Sequence, residues 1–286
     1  MAEPLPLVPA VPISASELRA WLQPRPPGGH KRSFGKLQIV AGSLAYPGAA
    51  RLCALGAFKA GCGYVCLETE APIEIVRDLP EIVPGFFDDA DAYVVGPGLD
   101  PARDGARVRA LLARVPADRP LLLDGGALAF ATLESVASRG AALVLTPHEA
   151  ELARLLGKGW DAESVRRDRS RALEAWAGLL PLATRLLKGS PTLIQSGDTA
   201  LRSMTFGSVA MATAGQGDLL AGVIGAYLAL GLEPLVAAAL GSSLCALAAR
   251  DLSTGSASQG VLAHEVAAQL PATVARLIAA EPAAHS

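Results

Sequence analysis

The sequence predicts an α/β fold, a single domain built on a mostly parallel, doubly wound sheet flanked by helices. Three observations carry that prediction. Short apolar runs (LQIVAG, YVCLET, AYVVG, PLLLD, ALVLT and TRLLKG) recur between helical stretches, the alternation that generates parallel βαβ units. Hydrophobic residues make up 51% of the chain and charged residues 18%, a balance suited to a sheet buried on both faces. No linker or internal repeat divides the chain after about Gly29, so its length can be spent on one core.

Residues 1–29 read as an extended arm holding one short helix, SASELRAWL, that packs on a neighbouring surface. Ser14 and Glu17 have the spacing of a capping box, and Pro24, Pro26 and Pro27 end the helix. Residues 30–286 form the folded domain. Its first βα unit joins LQIVAG to the helix PGAARLCALGAFKAG through the loop Gly42 to Gly48, a candidate phosphate cradle. The loop is not a Walker motif, because no Gly-Lys-Ser/Thr follows, and neither it nor GQGDLLAG has dinucleotide-fingerprint spacing.

In doubly wound sheets, ligands sit beyond the carboxyl ends of the strands. The residues there are Gly96-Pro97-Gly98, Asp124, Thr146-Pro147-His148 and Lys188-Gly189. Each has an ordinary reading beside a functional one. Gly96 and Gly98 suit turns, and Pro147 suits the first position of a helix. His148 either orients a substrate or is a plain first-turn residue. Lys188 is either a point charge for phosphate oxygens or an exposed strand-end lysine. After Lys188-Gly189, PTLIQSG and TALRSM read as a hairpin turning near Gly197-Asp198, where the sheet becomes antiparallel at one edge.

The stretch TAGQGDLLAGVIGAYLALGL from Thr213 to Leu232 stands apart. Gly215 and Gly217 bracket Gln216 just before an apolar helix, so backbone N–H groups and the positive end of the helix dipole can meet an anion. Asp218 beside such a site either handles a proton or a metal or simply caps the helix. The apolar run breaks at Gly231-Leu232-Glu233-Pro234, leaving each half short for a bilayer, so both halves read as buried core helices. The last helix, AHEVAAQLPATVARLIAA, is amphipathic with a proline kink.

Composition excludes other classes. A net charge of −2 without any Lys/Arg run argues against nucleic-acid binding. MAEPLPLVPAVP lacks a basic n-region, so neither a secretory signal nor a membrane role is expected. Cys53, Cys62, Cys66 and Cys245 lack paired metal-ligand spacing and read as reduced thiols of a cytoplasmic protein.

Ordered pieces along most of the chain carry a family resemblance: HKRSFGKLQIVAGS, PGAARLCALGAFKAGCG, GPGL at Gly96 to Leu99, DGGAL from Asp124, TPHEAE from Thr146, LKGSPT from Leu187, AGQGD ending at Asp218, and GVLAHEV. From about Gly29 to Ala279 the chain resembles the ADP-dependent NAD(P)H-hydrate dehydratases of the ribokinase-like superfamily. That resemblance implies a carbon–oxygen lyase that dehydrates the (6S)-hydrate of NADH or NADPH with ADP as co-substrate and Mg²⁺, releasing AMP and phosphate. It implies that Ala49, Gly98, His148 and Asp218 touch the hydrated dinucleotide. Lys188, Gly189, Ser190, Pro191, Thr192 and Gly217 would bind the adenine nucleotide. Gly215, Gln216 and Gly217 would form an anion hole, with Asp218 as the base, and the metal ligands stay unassigned. A homotetramer is implied as well, and the lack of a fused epimerase domain implies action on the S epimer alone.

The chain departs from the family pattern at Arg32 (commonly Gly), Ser208 (usually Asn) and Gln216 (most often Thr). Gln216 is tolerable where backbone groups make the anion hole, whereas Arg32 and Ser208 bear on nucleotide and metal contacts. Two other readings compete: a small-alcohol kinase of the thiazole or hydroxymethylpyrimidine type, and a non-catalytic nucleotide-binding relative. TPHEAE, GPGL and the HK…FGK segment favour the dehydratase over the kinase, and Asp218 with Lys188 argues against loss of catalysis.

Overall fold

A computed structural model describes residues 10–22, 24–70, 75, 77–253 and 260–280; the first nine residues of the predicted arm and the last six of the chain lie outside this description. Ten strands form one sheet: β1 (Val11–Pro12), β2 (Lys36–Val40), β3 (Tyr64–Glu68), β4 (Val83–Pro84), β5 (Ala92–Val95), β6 (Leu121–Leu123), β7 (Leu143–Leu145), β8 (Thr184–Leu187), β9 (Thr192–Ser196) and β10 (Arg202–Met204). Their order is β1-β10-β9-β8-β7-β6-β5-β2-β3-β4. Every pairing from β4 through β8 is parallel, and the β8–β9 and β9–β10 pairings are antiparallel. The helices are α1 (Ala15–Trp21), α2 (Pro47–Lys59), α3 (Pro101–Arg114), α4 (Glu134–Ala137), α5 (Glu149–Leu156), α6 (Ala162–Arg167), α7 (Arg169–Leu179), α8 (Gln216–Ala229), α9 (Pro234–Leu252) and α10 (Ala263–Ala279).

The strands divide their side chains between two cores with the period of two that a pleated strand imposes. Leu37, Ile39, Val94, Leu122, Val144 and Leu186 face the layer of α2, α8, α9 and α10. Val40, Tyr93, Val95, Leu121, Leu123 and Leu145 face the opposite layer, with Val108, Leu152 and Trp176. Because both faces are covered, these strands read as continuous apolar runs in the sequence.

Strand order reverses between β2 and β5, since the chain goes from β2 outward to β3 and then returns past β2 to build β5 to β8. A crevice opens at such a point. Helix α8 is laid over it by close backbone approach. A β-carbon at Gly222 would strike the Cys53 carbonyl of α2, and one at Gly225 would strike Val94 and Leu37 of the sheet. Larger residues there would lift α8 away and shift its amino end.

Two features differ from the sequence expectations, and two agree with them. The arm does more than pack on the surface: β1 adds a parallel strand beyond β10, so the antiparallel hairpin is not the rim. The Ser14–Glu17 capping box forms as expected, and Arg202 binds Glu17 at 2.7 Å. Helix α9 is long and apolar enough, by length and composition, to cross a membrane, yet every residue from Ala237 to Ala249 is buried in the core. Pro271 sits inside α10 without ending it, in agreement with the single last helix expected from the sequence.

Candidate active site

The amino end of α8 is built for backbone exposure. Gly215 caps the helix with φ +90°, left-handed backbone that favours glycine, and a β-carbon there would lie 2.5 Å from Leu52 Cδ1. No side chain caps this end, so the first-turn N–H groups are available to an anion. The Gln216 side chain anchors the turn instead: Nε2 donates to Thr213 Oγ1 at 3.1 Å, and Thr213 Oγ1 donates to the Val261 carbonyl at 2.9 Å. This uses only the Gln216 side chain and leaves its N–H for a ligand.

Asp218 does not cap the helix. It is the third helical residue, half-buried, and its carboxylate has no hydrogen-bond partner among the described residues. Burial, reinforced by the Asp124 and Glu151 carboxylates and opposed by Lys188, pushes its pKa from 3.8 to about 6. A carboxyl group poised near neutrality and free to exchange a proton is a general-base candidate.

Lys188 follows β8 and reaches the same place. Its Nζ donates to Asp124 Oδ1 at 2.5 Å and lies 3.1 Å from where a β-carbon on Gly217 would stand. Burial works against the charge, but Asp124, Glu151 and Asp218 together hold the ammonium above its ordinary pKa. Thr146 Oγ1 also donates to Asp124, at 2.9 Å, and the Lys188 N–H donates to the Pro147 carbonyl at 2.9 Å. The ends of β6, β7 and β8 therefore converge on one cation that faces α8.

The other predicted positions fall around this centre. Ala49 in the first turn of α2 meets Gly98, whose φ is +69° and whose β-carbon would lie 2.6 Å from Ala49 Cβ. The Gly42 N–H ties the two loops by donating to the Pro97 carbonyl at 2.7 Å. His148 is the N-cap of α5, neither a first-turn residue nor preceded by a helical Pro147. Its Nδ1 accepts from the N–H groups of Ala150 and Glu151 at 3.1 and 3.3 Å, and its Nε2 lies 3.4 Å from Glu151 Oε1 on an exposed ring. Gly189 to Pro191 lie in the loop from β8 to β9, with a cis Ser190–Pro191 bond, and Thr192, the first residue of β9, donates through Oγ1 to the Gly189 carbonyl at 3.0 Å.

Of the departures, Ser208 caps the short turn Val209–Met211 before α8 through its Oγ. Arg32 precedes β2 at the amino end of the sheet, exposed and paired with Asp89 at 3.4 Å, remote from the site of its own chain. A cavity of about 530 Å³ also opens at that end, lined by Arg25, His30, Lys31, Phe34, Tyr64 and Glu81. It lacks an acid beside an open helix terminus, so the chemistry favours the carboxyl ends of the strands.

A family described as NAD(P)H-hydrate dehydratase matches residues 37–272. The chain belongs to that family. An ADP-dependent (S)-NAD(P)H-hydrate dehydratase from Neisseria meningitidis serogroup B is 37% identical over 253 residues, covering 83% of this chain and 84% of the relative. A bifunctional NAD(P)H-hydrate repair enzyme from Thermofilum pendens is 37% identical over 235 residues, covering 74% of this chain but 44% of the relative. The chain thus spans about half the length of such bifunctional relatives. The crystal structure of ADP/ATP-dependent NAD(P)H-hydrate dehydratase from Bacillus subtilis, grown with ATP and Mg²⁺, has a TM-score of 0.82 and 27% identity, covering 94% of this chain and all of that one, at 100%.

The sequence reading placed Asp124 at a strand end without giving it a role, and its pairing with Lys188 is visible only in three dimensions. It missed Arg169, which meets three backbone carbonyls, and Glu149, which accepts from Arg169; such contacts leave no pattern in the sequence.

Proposed function

We propose that the protein restores NADH or NADPH from its (6S)-hydrate with ADP as co-substrate, releasing AMP and phosphate. The observation that carries this reading is the unbonded, half-buried Asp218 carboxyl at the open amino end of α8, opposite Lys188. Ala49, Gly98 and the exposed ring of His148 would hold the hydrated nicotinamide. Lys188, the loop from Gly189 to Thr192 and Gly217 would hold the ADP phosphates.

In this arrangement the C6 hydroxyl oxygen attacks the terminal phosphorus of ADP, its proton passes to Asp218, and AMP departs. Charge developing on the transferred group is met by the N–H groups from Gly215 to Gly217 and by the Lys188 ammonium, which are already aligned before the reaction. Phosphate then leaves C6 with the C–O electron pair, and loss of the C5 proton restores the dihydropyridine. Among the described residues no group of three His, Cys, Asp or Glu forms a metal cage. Mg²⁺ enters this reading with the nucleotide, whose diphosphate charge it would neutralise.

The same reading makes the protein a cytoplasmic homo-oligomer, a tetramer by family resemblance, acting on small nucleotides without nucleic-acid or membrane partners. Its four cysteines are buried and unpaired, which suits a reducing compartment. Incubation with hydrated NADPH, Mg²⁺ and ADP tests the reaction: AMP, phosphate and NADPH should appear in equal amounts. A stable phosphorylated alcohol formed from an added small alcohol, with no reduced dinucleotide, would assign the protein to the kinases instead.

A further inference from the structure

The loop after β8 is shaped from outside itself. Arg169 is the first residue of α7, where a cation opposes the helix dipole and contributes nothing to the helix. Its side chain is instead folded inward, 15% exposed. Nη1 donates to Glu149 Oε1 at 2.8 Å, and Nη2 lies 3.2 Å from each of the carbonyl oxygens of Leu187, Lys188 and Pro191. One guanidinium thus gathers the backbone on both sides of Gly189 and Ser190 and fastens it to Glu149, the residue next to the His148 cap.

Gly189 provides the seat. Its φ is +137°, and a β-carbon there would strike Arg169 Nη1 and stand 2.9 Å from Glu149 Oε1. The Lys188 carbonyl is held by Arg169, and its N–H is held by the Pro147 carbonyl at 2.9 Å. The lysine backbone is therefore clamped from both sides, which fixes the direction in which its ammonium reaches Asp124 and α8.

We propose that Arg169, anchored by Glu149, is a positioning residue that holds the Leu187–Thr192 loop and the Lys188 backbone in the shape that receives the phosphates of a nucleoside diphosphate. The proposal rests on the assignment of this loop to ADP. A lysine at position 169 has the charge but a single nitrogen, which cannot span a carboxylate and three carbonyls at once. Glutamine at position 149 keeps an acceptor but gives up the charge that holds the guanidinium in place.

The test compares Arg169→Lys, Arg169→Met, Glu149→Gln and Lys188→Ala with the wild type, reading ADP affinity by calorimetry and the KM values of ADP and hydrated NADPH. Arg169→Lys and Arg169→Met should weaken ADP binding and raise the KM of ADP by about tenfold or more, the scale of losing a hydrogen bond to a charged group. Glu149→Gln should show a smaller rise in the same direction, and the KM of the hydrate should change little. A purely structural role would lower the melting temperature while leaving the KM of ADP at the wild-type value. That outcome in folded Arg169→Lys and Glu149→Gln, alongside weakened binding in Lys188→Ala, would overturn the proposal and spare the loop assignment. Unchanged ADP affinity in Lys188→Ala would overturn the loop assignment and the proposal with it. If Arg169→Met does not fold, the two conservative variants decide.

Discussion

Lys188 Nζ stands 2.5 Å from Asp124 Oδ1, joining the ends of β8 and β6 beneath the amino end of α8. The pair is almost closed to solvent on the Asp124 side, so the two charges depend on each other. Removing one partner strands the other charge, whereas replacing both removes the problem. Lys188→Met should therefore cost about 3 kcal/mol of stability, and the double variant Lys188→Met/Asp124→Asn should recover most of it. ADP binding should stay weaker by roughly 1.5–3 kcal/mol in both, because the point charge for phosphate is gone. Melts and calorimetry on the same preparations separate the two effects.

His148 has two separable tasks in this account. Its Nδ1 caps α5, and the exposed remainder of the ring, with Nε2 3.4 Å from Glu151 Oε1, is the part offered to the substrate. His148→Asn keeps a capping oxygen and should stay within about 0.5 kcal/mol of wild-type stability, while His148→Ala should lose about 1 kcal/mol. Both should raise the KM of hydrated NADPH and leave the KM of ADP unchanged. If Asn restored the hydrate KM together with stability, the ring edge would have no part in substrate binding.

Asp218 links pH to stability with a definite sign. Its pKa is near 6 in the folded protein against an ordinary 3.8, so between those values the folded state holds a proton that the unfolded chain has released. The stabilisation this gives is complete below about pH 4 and is lost as pH rises through about 6. At pH 8 the ionised carboxylate is a burden on the fold, and Asp218→Asn should melt higher than the wild type, by up to about 3 kcal/mol for a shift of two units. The difference should shrink towards pH 4. For activity the direction reverses: kcat/KM should fall as pH drops below about 6, where the base becomes protonated.

The sheet was legible because its inner strands are buried on both faces and spell continuous apolar runs. β1 and β4, each two residues long and each containing a proline, are strands only because a neighbouring edge pairs with them, and nothing local marks them. Strand-end placement found Lys188, Asp124, Gly98 and His148, since topology sends those positions to one end of the sheet. The position of Asp218 within its helix was open, because Asp suits both a cap and a first-turn site; the left-handed Gly215 settles it by taking the cap. Nothing local distinguishes Arg169 from the arginines beside it, and only the fold turns it inward to meet three carbonyls.

The account stands most directly on Asp218 as the group that takes the hydroxyl proton, and the measurement is turnover of hydrated NADPH by Asp218→Asn at pH 8, with ADP affinity and a melt on the same sample. Asparagine keeps the size of the side chain but cannot accept the proton as a carboxylate does. Turnover should fall by about 10²-fold or more, with ADP affinity within a few-fold of wild type and a fold at least as stable. Turnover near the wild-type rate in that folded, ADP-binding variant would contradict the catalytic assignment.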